Sequence, residues 1–377
     1  MHTAPAAEET DVTSKTNMAS GPVPATTPPA TKAPPPAPAK DERLAQISPM
    51  ARLLRRPEIG ALVAAIVVAI FFETQNSLFL KLDGISNWTD VASTIGIPAV
   101  VVALLMIGGE FDLSAGVMTG SAGLMMGILA VNVHMNVWLA IVLTLIAATG
   151  VGFLNGYMVM TTKLPSFIVT LATFFILQGV NLGVTKAITN TVSVSGIDTA
   201  KGYKGAYKLL GGSFWSPHDF RATVIWWIGI TVIATWVLAR TRVGNWIFGV
   251  GGDQNAARNV GVPVRRVKIG LFMTTSFVCA LTGIMIALRL ASTQAGQGVG
   301  DEFQFIIAAV VGGCLLTGGY GSAIGASLGA LIIGMAFIGI QFSGWNTDWR
   351  FLFLGVILLV AVLVNTYIRK RAEGARR

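Results

Sequence analysis

Two carboxylates stand between apolar runs near residue 110, and they are the first candidates for chemistry. Glu110 and Asp112 have glycines on either side, and Ser114 follows them. Ionisable groups at membrane depth are costly, so they either face a watery cavity or bind the ends of broken helices. Residues two apart point to different sides of a helix, which argues against a paired acid/base site. Two interpretations stay open: Asp112 or Ser114 caps the next helix, or these residues line a path for a polar solute.

Uncharged polar residues occur in the later apolar run from 166 to 184. Gln178 and Asn181 carry amide groups inside that run. Such groups can contact a hydroxylated solute or bond to neighbouring helices, and the second role is the commoner one.

The usual catalytic patterns are missing from the sequence. It contains no Gly-x-x-x-x-Gly-Lys-[Ser/Thr] phosphate loop and no His-Glu-x-x-His motif. His2, His134 and His218 fall in the N-terminal tail or in predicted loops, and Cys279 and Cys314 fall in apolar runs. An intramembrane hydrolase is poorly supported because no His is placed to activate a Ser or Cys. We therefore predict no catalytic residue, no metal site and no cofactor bound by this chain.

A polar, basic stretch from Gly251 to Lys268 interrupts the apolar second half of the chain. Its pattern predicts a short helix that is capped by Asp253 and ended by Gly261 and Pro263. One side carries Ala256, Ala257 and Val260, and the other carries Gln254, Asn255, Arg258 and Asn259. A helix lying on lipid would carry large apolar residues, whereas small ones allow another protein to approach. We expect the small face to be buried only against a partner; the alternative is an ordinary basic loop.

The composition indicates that transmembrane helices position these candidate residues. Of 377 residues, 53% are hydrophobic and only 12% are charged, whereas soluble proteins contain about 25% charged residues. Apolar runs long enough to cross a bilayer, roughly 20 residues each, recur along the chain. We predict an all-α polytopic membrane protein with about ten transmembrane helices, some broken or re-entrant, near 59–75, 91–109, 114–132, 137–159, 166–184, 223–240, 268–289, 303–318, 323–342 and 350–368.

The charge distribution suggests domains and topology. Residues 1–48 are rich in Pro, Ala and Thr and are predicted to be a disordered tail, ahead of a transmembrane domain at 49–377. The net charge of +9 does not indicate nucleic-acid binding, because the basic residues lie in tails and loops. Their bias towards one side of the predicted topology places both termini in the cytoplasm. The long loop near 185–222 would then lie outside, as a solvated loop with an aromatic anchor or as a docking loop.

Glycines near residue 320 form a repeating pattern. Gly321, Gly325 and Gly329 are spaced by four, which allows a second helix to pack closely. We assign the same packing role to Gly312 and Gly313.

Several of these stretches together resemble one family. They are Gly108-Gly109 with Asp112-Leu113-Ser114, the run Pro165-Ser166-Phe167-Ile168-Val169-Thr170-Leu171, Gly252 with Ala256-Ala257-Arg258 and Gly261, and Ile306 to Gly313 leading to Gly318-Gly319-Tyr320-Gly321-Ser322. Over about 55–370 the chain resembles the membrane permeases of bacterial ABC importers for monosaccharides, of the ribose/xylose/galactose type. These are related more distantly to the branched-chain amino acid permeases.

The resemblance implies a fold like that of type II ABC importers and a location in the bacterial inner membrane. It implies a dimer, identical or mixed, that surrounds a translocation path. An extracytoplasmic sugar-binding protein would deliver the solute, and a separate ATPase subunit would use ATP. The 252–261 segment would be the helix that couples to this ATPase. The candidate path residues are Glu110, Asp112, Ser114, Phe167, Thr170, Gln178 and Asn181.

Two residues depart from the family pattern. Asp253 stands where relatives often carry Asn, and Gln178 stands where they often carry Arg. The second change removes a charge at membrane depth and leaves the preferred sugar open. The alternatives are an ABC permease for another small polar solute, such as a branched-chain amino acid, and an ion-coupled secondary carrier. The carrier would use Glu110 or Asp112 as its coupling carboxylate.

Overall fold

The computed structural model describes residues 57–374, with side chains described as far as residue 363. The predicted tail at 1–48 lies outside the described residues. The helices are α1 (Pro57–Gln75), α2 (Leu82–Ile107), α3 (Ala115–Val131), α4 (Val137–Thr162), α5 (Ser166–Thr189), α6 (Tyr203–Ala206), α7 (Ala222–Arg240), α8 (Arg242–Gly252), α9 (Gln254–Asn259), α10 (Val264–Leu290), α11 (Asp301–Val311), α12 (Ala323–Phe342) and α13 (Trp349–Gly374).

The prediction of an all-α polytopic membrane protein is confirmed. Within the described part of the chain, seven helices are long and apolar enough to cross a membrane: α1, α2, α4, α5, α7, α10 and α12. Shorter apolar helices at Ala115–Val131 and Trp349–Leu363 account for two further predicted runs.

The eighth predicted run, 303–318, is not one continuous helix. Helix α11 ends at Val311, and Gly313 then takes a left-handed conformation with φ of 91°. Glycine adopts this conformation without the steric cost that a side chain would bring. The chain therefore leaves the helix within the apolar run, and an irregular segment leads to α12. Hydropathy alone gave no sign of this break, because the residues on both sides of it are apolar.

The centre of the bundle is formed by α2, α10 and α12, which are the most buried of the seven long helices. Small residues allow the close contacts. Gly152 and Gly156 of α4 lie against Phe272 and Ile269 of α10, so these two helices run antiparallel. The outer helices α1, α4, α5 and α7 leave many large apolar side chains exposed. A bundle of this kind is suited to lipid on its outer surface.

Helices α11 and α12 pack closely through glycines. A methyl group on Gly325 would overlap the Gly312 carbonyl oxygen, and one on Gly329 would overlap that of Ala308. A methyl group on Gly321 would instead meet the side-chain sulfur of Cys314. Gly325 and Gly329 thus allow α11 and α12 to approach backbone to backbone.

Two small sheets lie at the end of the bundle where α10 finishes. Strands β1 (Ser193–Ser195) and β4 (Ser292–Gln294) pair antiparallel, with Val194 opposite Thr293. Strands β2 (Ser213–Phe214) and β3 (Phe220–Arg221) form a hairpin. The predicted long loop near 185–222 therefore contains short strands and helical turns. Helix α9 precedes the start of α10, so it lies at the opposite end of the bundle.

Candidate functional site

Helix α9 begins and ends as its sequence predicts. The Asp253 carboxylate accepts hydrogen bonds from the backbone N–H groups of Asn255 and Ala256, at 2.8 and 2.9 Å. Gly261 is left-handed, with φ of 84°, and α10 starts directly after Pro263. The capping carboxylate satisfies two of the N–H groups that a helix start leaves free. A well-defined six-residue helix results.

The faces of α9 differ from the prediction at one residue. Ala257 is only 5% exposed, because it faces Gly249 of the preceding helix α8. The expectation that it stays uncovered until a partner binds is therefore wrong. Ala256 is exposed, and Val260 is 81% exposed. The apolar surface that α9 offers to a partner thus consists of Ala256 and Val260.

Three glycine pairs meet beside α9. Gly251 lies so close to the Ile107 carbonyl oxygen that a side chain there would overlap it, and the same oxygen accepts a 2.8 Å hydrogen bond from Gly319 N–H. Gly318 lies against Gly109. We call these residues, Gly108-Gly109, Gly251-Gly252 and Gly318-Gly319, the glycine junction. It brings the break after α2, the end of α8 that leads into α9, and the segment before α12 into direct contact.

A buried ion pair lies next to the glycine junction. The Lys268 ammonium group of α10 contacts the Glu110 carboxylate, and both side chains are buried. Lys268 also donates a 3.0 Å hydrogen bond to the side-chain oxygen of Gln254 in α9. The charge of Glu110 is therefore balanced by a partner within the chain. This contact connects α9 to the segment between α2 and α3.

A buried polar network continues from this segment towards the middle of the bundle. The Asp112 carboxylate accepts hydrogen bonds from the backbone N–H and the hydroxyl of Ser114, at 2.8 and 2.5 Å. Asn155 of α4 donates to the Ser114 hydroxyl at 3.2 Å, and its carbonyl oxygen accepts from Thr173 of α5 at 2.6 Å. Ser114 makes no side-chain cap to α3. We call Asp112, Ser114, Asn155 and Thr173 the polar network.

Helix α5 also holds the segment between α2 and α3 through its hydroxyl groups. Ser166 accepts a 3.1 Å hydrogen bond from the Phe111 backbone N–H, and Thr170 accepts one of 3.1 Å from that of Leu113. These bonds satisfy backbone donors that would otherwise be costly to bury. Sequence reasoning missed Asn155, Ser166 and Thr173. The spacing of Ser166, Thr170 and Thr173 on one helical face was the available signal.

Several buried polar atoms have no hydrogen-bond partner within the described residues. They include the second carboxylate oxygen of Asp112, the hydroxyl of Ser276 in α10, the amide nitrogen of Asn181 and the hydroxyl of Thr185. Asn181 and Thr185 are four apart and share a face of α5. Buried polar atoms usually have a partner. Each of these atoms keeps the capacity for one more hydrogen bond.

The remaining candidate path residues lie apart from one another. Thr170 is buried, whereas Phe167 is 52% exposed on the outside of the bundle. Gln178 is half-buried and makes no hydrogen bond to a described residue. The structure thus brings Asp112, Ser114 and Thr170 together, with Glu110 beside them, and leaves Phe167 and Gln178 outside the polar network.

Comparison with known proteins identifies the fold that carries this arrangement. A family model described as "Branched-chain amino acid transport system / permease component" matches residues 84–362, a range that includes α9, the glycine junction and the polar network. The chain belongs to this family. This permease is therefore a multi-pass inner-membrane protein and a component of a transport system.

Relatives of this permease match it over most of its length. The probable ABC transporter permease protein YphD of Escherichia coli K12 is 32% identical, over 85% of this chain and 92% of its own. The ribose import permease protein RbsC of the same strain is 29% identical, over 82% and 93%. The xylose transport system permease protein XylH is 27% identical, over 84% and 93%. No solved structure matches this permease.

Proposed function

We propose that this chain is the permease subunit of an ATP-driven ABC importer for a pentose or hexose. In this proposal the chain binds no cofactor, and a separate ATPase subunit binds and hydrolyses ATP. An extracytoplasmic binding protein delivers the sugar to two permease protomers, identical or different. Both termini and α9 lie in the cytoplasm, in agreement with the basic residues of the α9 region.

The observation that carries the proposal is the physical connection between α9 and the bundle interior. The exposed Ala256 and Val260 provide a small apolar surface for another protein. Behind that surface, Gln254 bonds to the buried Lys268–Glu110 pair. A force applied to α9 would thus reach the segment between α2 and α3, which carries Asp112. Coupling between distant sites needs such a contiguous network of packed and hydrogen-bonded groups.

The unpaired polar atoms in the bundle support the proposal that the transported solute carries hydroxyl groups. Asp112, Ser276 and Asn181 each keep a buried polar atom with no partner among the described residues. Sugar hydroxyl groups both donate and accept hydrogen bonds, so they can satisfy carboxylate, hydroxyl and amide atoms alike. A leucine or valine side chain would leave these atoms unpaired, at a cost of about 1–3 kcal/mol each. The ribose and xylose relatives agree with this preference.

The test is a comparison of solutes in proteoliposomes. The full chain is reconstituted with the ATPase and binding protein encoded by neighbouring genes, and uptake of labelled ribose, xylose and leucine is measured. We expect uptake of at least one sugar and none of leucine. Uptake of leucine alone would contradict the assignment of the solute class and would leave the ABC mechanism standing.

A further inference from the structure

A groove outside the polar network lies on the flank of the bundle, where α2, α7, α8 and α10 meet. It encloses about 500 Å³, within the range of about 300–1,000 Å³ that is usual for ligand pockets. Its lining along α10 extends from Pro263 to Val278, or about 22 Å at 1.5 Å per residue. The hydrocarbon of one bilayer leaflet is about 15 Å thick, half of the core. The groove is therefore long enough for one acyl chain.

The walls of this groove are apolar along most of its length. Ile230 and Val237 of α7 face Val267 and Leu271 of α10 across it. Thr274 also lines the groove, and its hydroxyl donates to the Gly270 carbonyl oxygen at 2.8 Å. That hydroxyl is therefore satisfied within α10. A hydrocarbon chain is the ligand chemistry that such walls accept.

Apart from Thr274, the polar side chains that line the groove are Arg266 and Trp246. Arg266 lies near the start of α10, is exposed, and makes no ion pair with a described residue. Trp246 of α8 also lines the groove, and its indole N–H donates to no described residue. By contrast, the neighbouring Arg265 lies over the Tyr157 ring at 5.1 Å. A free guanidinium and a free indole N–H beside an apolar channel match a phosphate with an attached acyl chain.

The positive charge around the groove favours a lipid with an anionic headgroup. Between residues 240 and 268 the sole acidic residue is Asp253, whereas the basic residues outside the buried ion pair are Arg240, Arg242, Arg258, Arg265 and Arg266. This field repels the cationic amine of a zwitterionic headgroup. It attracts a headgroup with net negative charge, as basic pockets between membrane helices do. Trp at this level is typical of the membrane interface.

We propose that the groove between α2, α7, α8 and α10 binds one anionic phospholipid. Its phosphate lies against Arg266 and Trp246, and one acyl chain runs along α10 towards Val278. The site is separate from the polar network and does not depend on which solute is transported. Because α8 leads directly into α9, a lipid held here would also fix the position from which α9 projects.

The test is lipid retention by the full chain in detergent micelles, measured by native mass spectrometry. The micelles are titrated with phosphatidylglycerol and, separately, with phosphatidylcholine of the same acyl chains. We expect one phosphatidylglycerol to bind on the order of tenfold more tightly than phosphatidylcholine. Arg266→Gln should abolish this difference, whereas the matched control Arg265→Gln should keep it. Equal binding of both lipids by the natural chain, or equal losses in the two variants, would overturn the proposal.

A second variant tests the acyl-chain part of the site. Gly270 lines the groove and has no atom within 4 Å of an added Cβ, so Gly270→Leu introduces a side chain at the wall of the groove. It should weaken phosphatidylglycerol binding on the order of tenfold. Gly179→Leu on α5, where the space is equally open, should leave binding unchanged. Unchanged binding in Gly270→Leu, or displacement of the lipid by an equal concentration of glycerol phosphate, would contradict the site.

Discussion

Lys268 is the residue that connects α9 to the segment between α2 and α3. It lies in the second turn of α10, it is buried, and it contacts a carboxylate 158 residues earlier in the chain. Leaving one member of a buried ion pair unpartnered costs about 3–5 kcal/mol, whereas replacing both members with apolar groups is often nearly neutral. The pair therefore specifies an arrangement of helices more than it adds stability.

Lys268→Met should lower the stability of the bundle by about 3 kcal/mol, because it leaves the Glu110 carboxylate buried without its counter-charge. Lys268→Met combined with Glu110→Met should recover most of that loss. Thermal unfolding in detergent micelles measures both effects as a double-mutant cycle. Additive losses in the double variant would show that the two side chains do not act as a pair.

Sequence reasoning identified part of this site at the residue scale. Glu110 and Asp112 were recognised because carboxylates are costly between apolar runs. Their partners were not predictable, because Lys268 and Asn155 are close to them only after the helices have packed. Local chemistry therefore indicated which residues matter, whereas contacts between distant helices determined what each one does.

Among the elements, α9 joins an exposed surface to buried contacts. Its cap, its length and its left-handed end follow from Asp253, Gly261 and Pro263, so local rules were sufficient to predict it. The orientation of its small face was not predictable, because the packing of Ala257 on α8 depends on how α8 lies. The exposed Val260 therefore replaces Ala257 as the residue to test.

Val260→Asp should weaken binding of the ATPase subunit on the order of tenfold or more, since it buries an unpaired charge in the proposed interface. Uptake should fall in proportion, and the thermal stability of the bundle should not change. Co-purification with the ATPase measures the first effect. Val133→Asp is the matched control, because Val133 is also exposed but follows α3 at the opposite end of the bundle. Equal losses in both variants would contradict the interface.

The α11 and α12 pair shows the limit of hydropathy at the element scale. The run at 303–318 is apolar throughout, yet the helix ends at Val311, before Gly312 and Gly313. Backbone contacts at Gly325 and Gly329 then bring the short α11 against the longer α12. The spacing of the glycines indicated close packing, but it did not indicate which helix would be the neighbour.

Gly329→Ala should destabilise the bundle by about 1–3 kcal/mol, because the new methyl group would overlap the Ala308 carbonyl oxygen. Gly355→Ala on α13 is the control, since an added Cβ there meets nothing within 4 Å. Thermal unfolding of the two variants in the same detergent measures the difference. Equal midpoints would mean that α11 and α12 can separate without cost.

At the scale of the whole molecule, the glycine junction connects three segments that are far apart in the sequence. It joins the break after α2, the end of α8 that leads into α9, and the segment before α12 through direct backbone contacts. The fold class and the family could be predicted from the apolar runs and the motif order. The junction could not, since its three glycine pairs are separated by more than a hundred residues or by several helices.

Whether ATP or an ion gradient drives sugar uptake can be measured directly in proteoliposomes. Proteoliposomes containing the full chain alone, and the chain with its ATPase and binding protein, are compared with ATP present and with an ion gradient present. We predict that labelled sugar accumulates only when ATP, the ATPase and the binding protein are all present. Accumulation by the chain alone under a proton or sodium gradient would contradict the account and would make the chain an ion-coupled carrier.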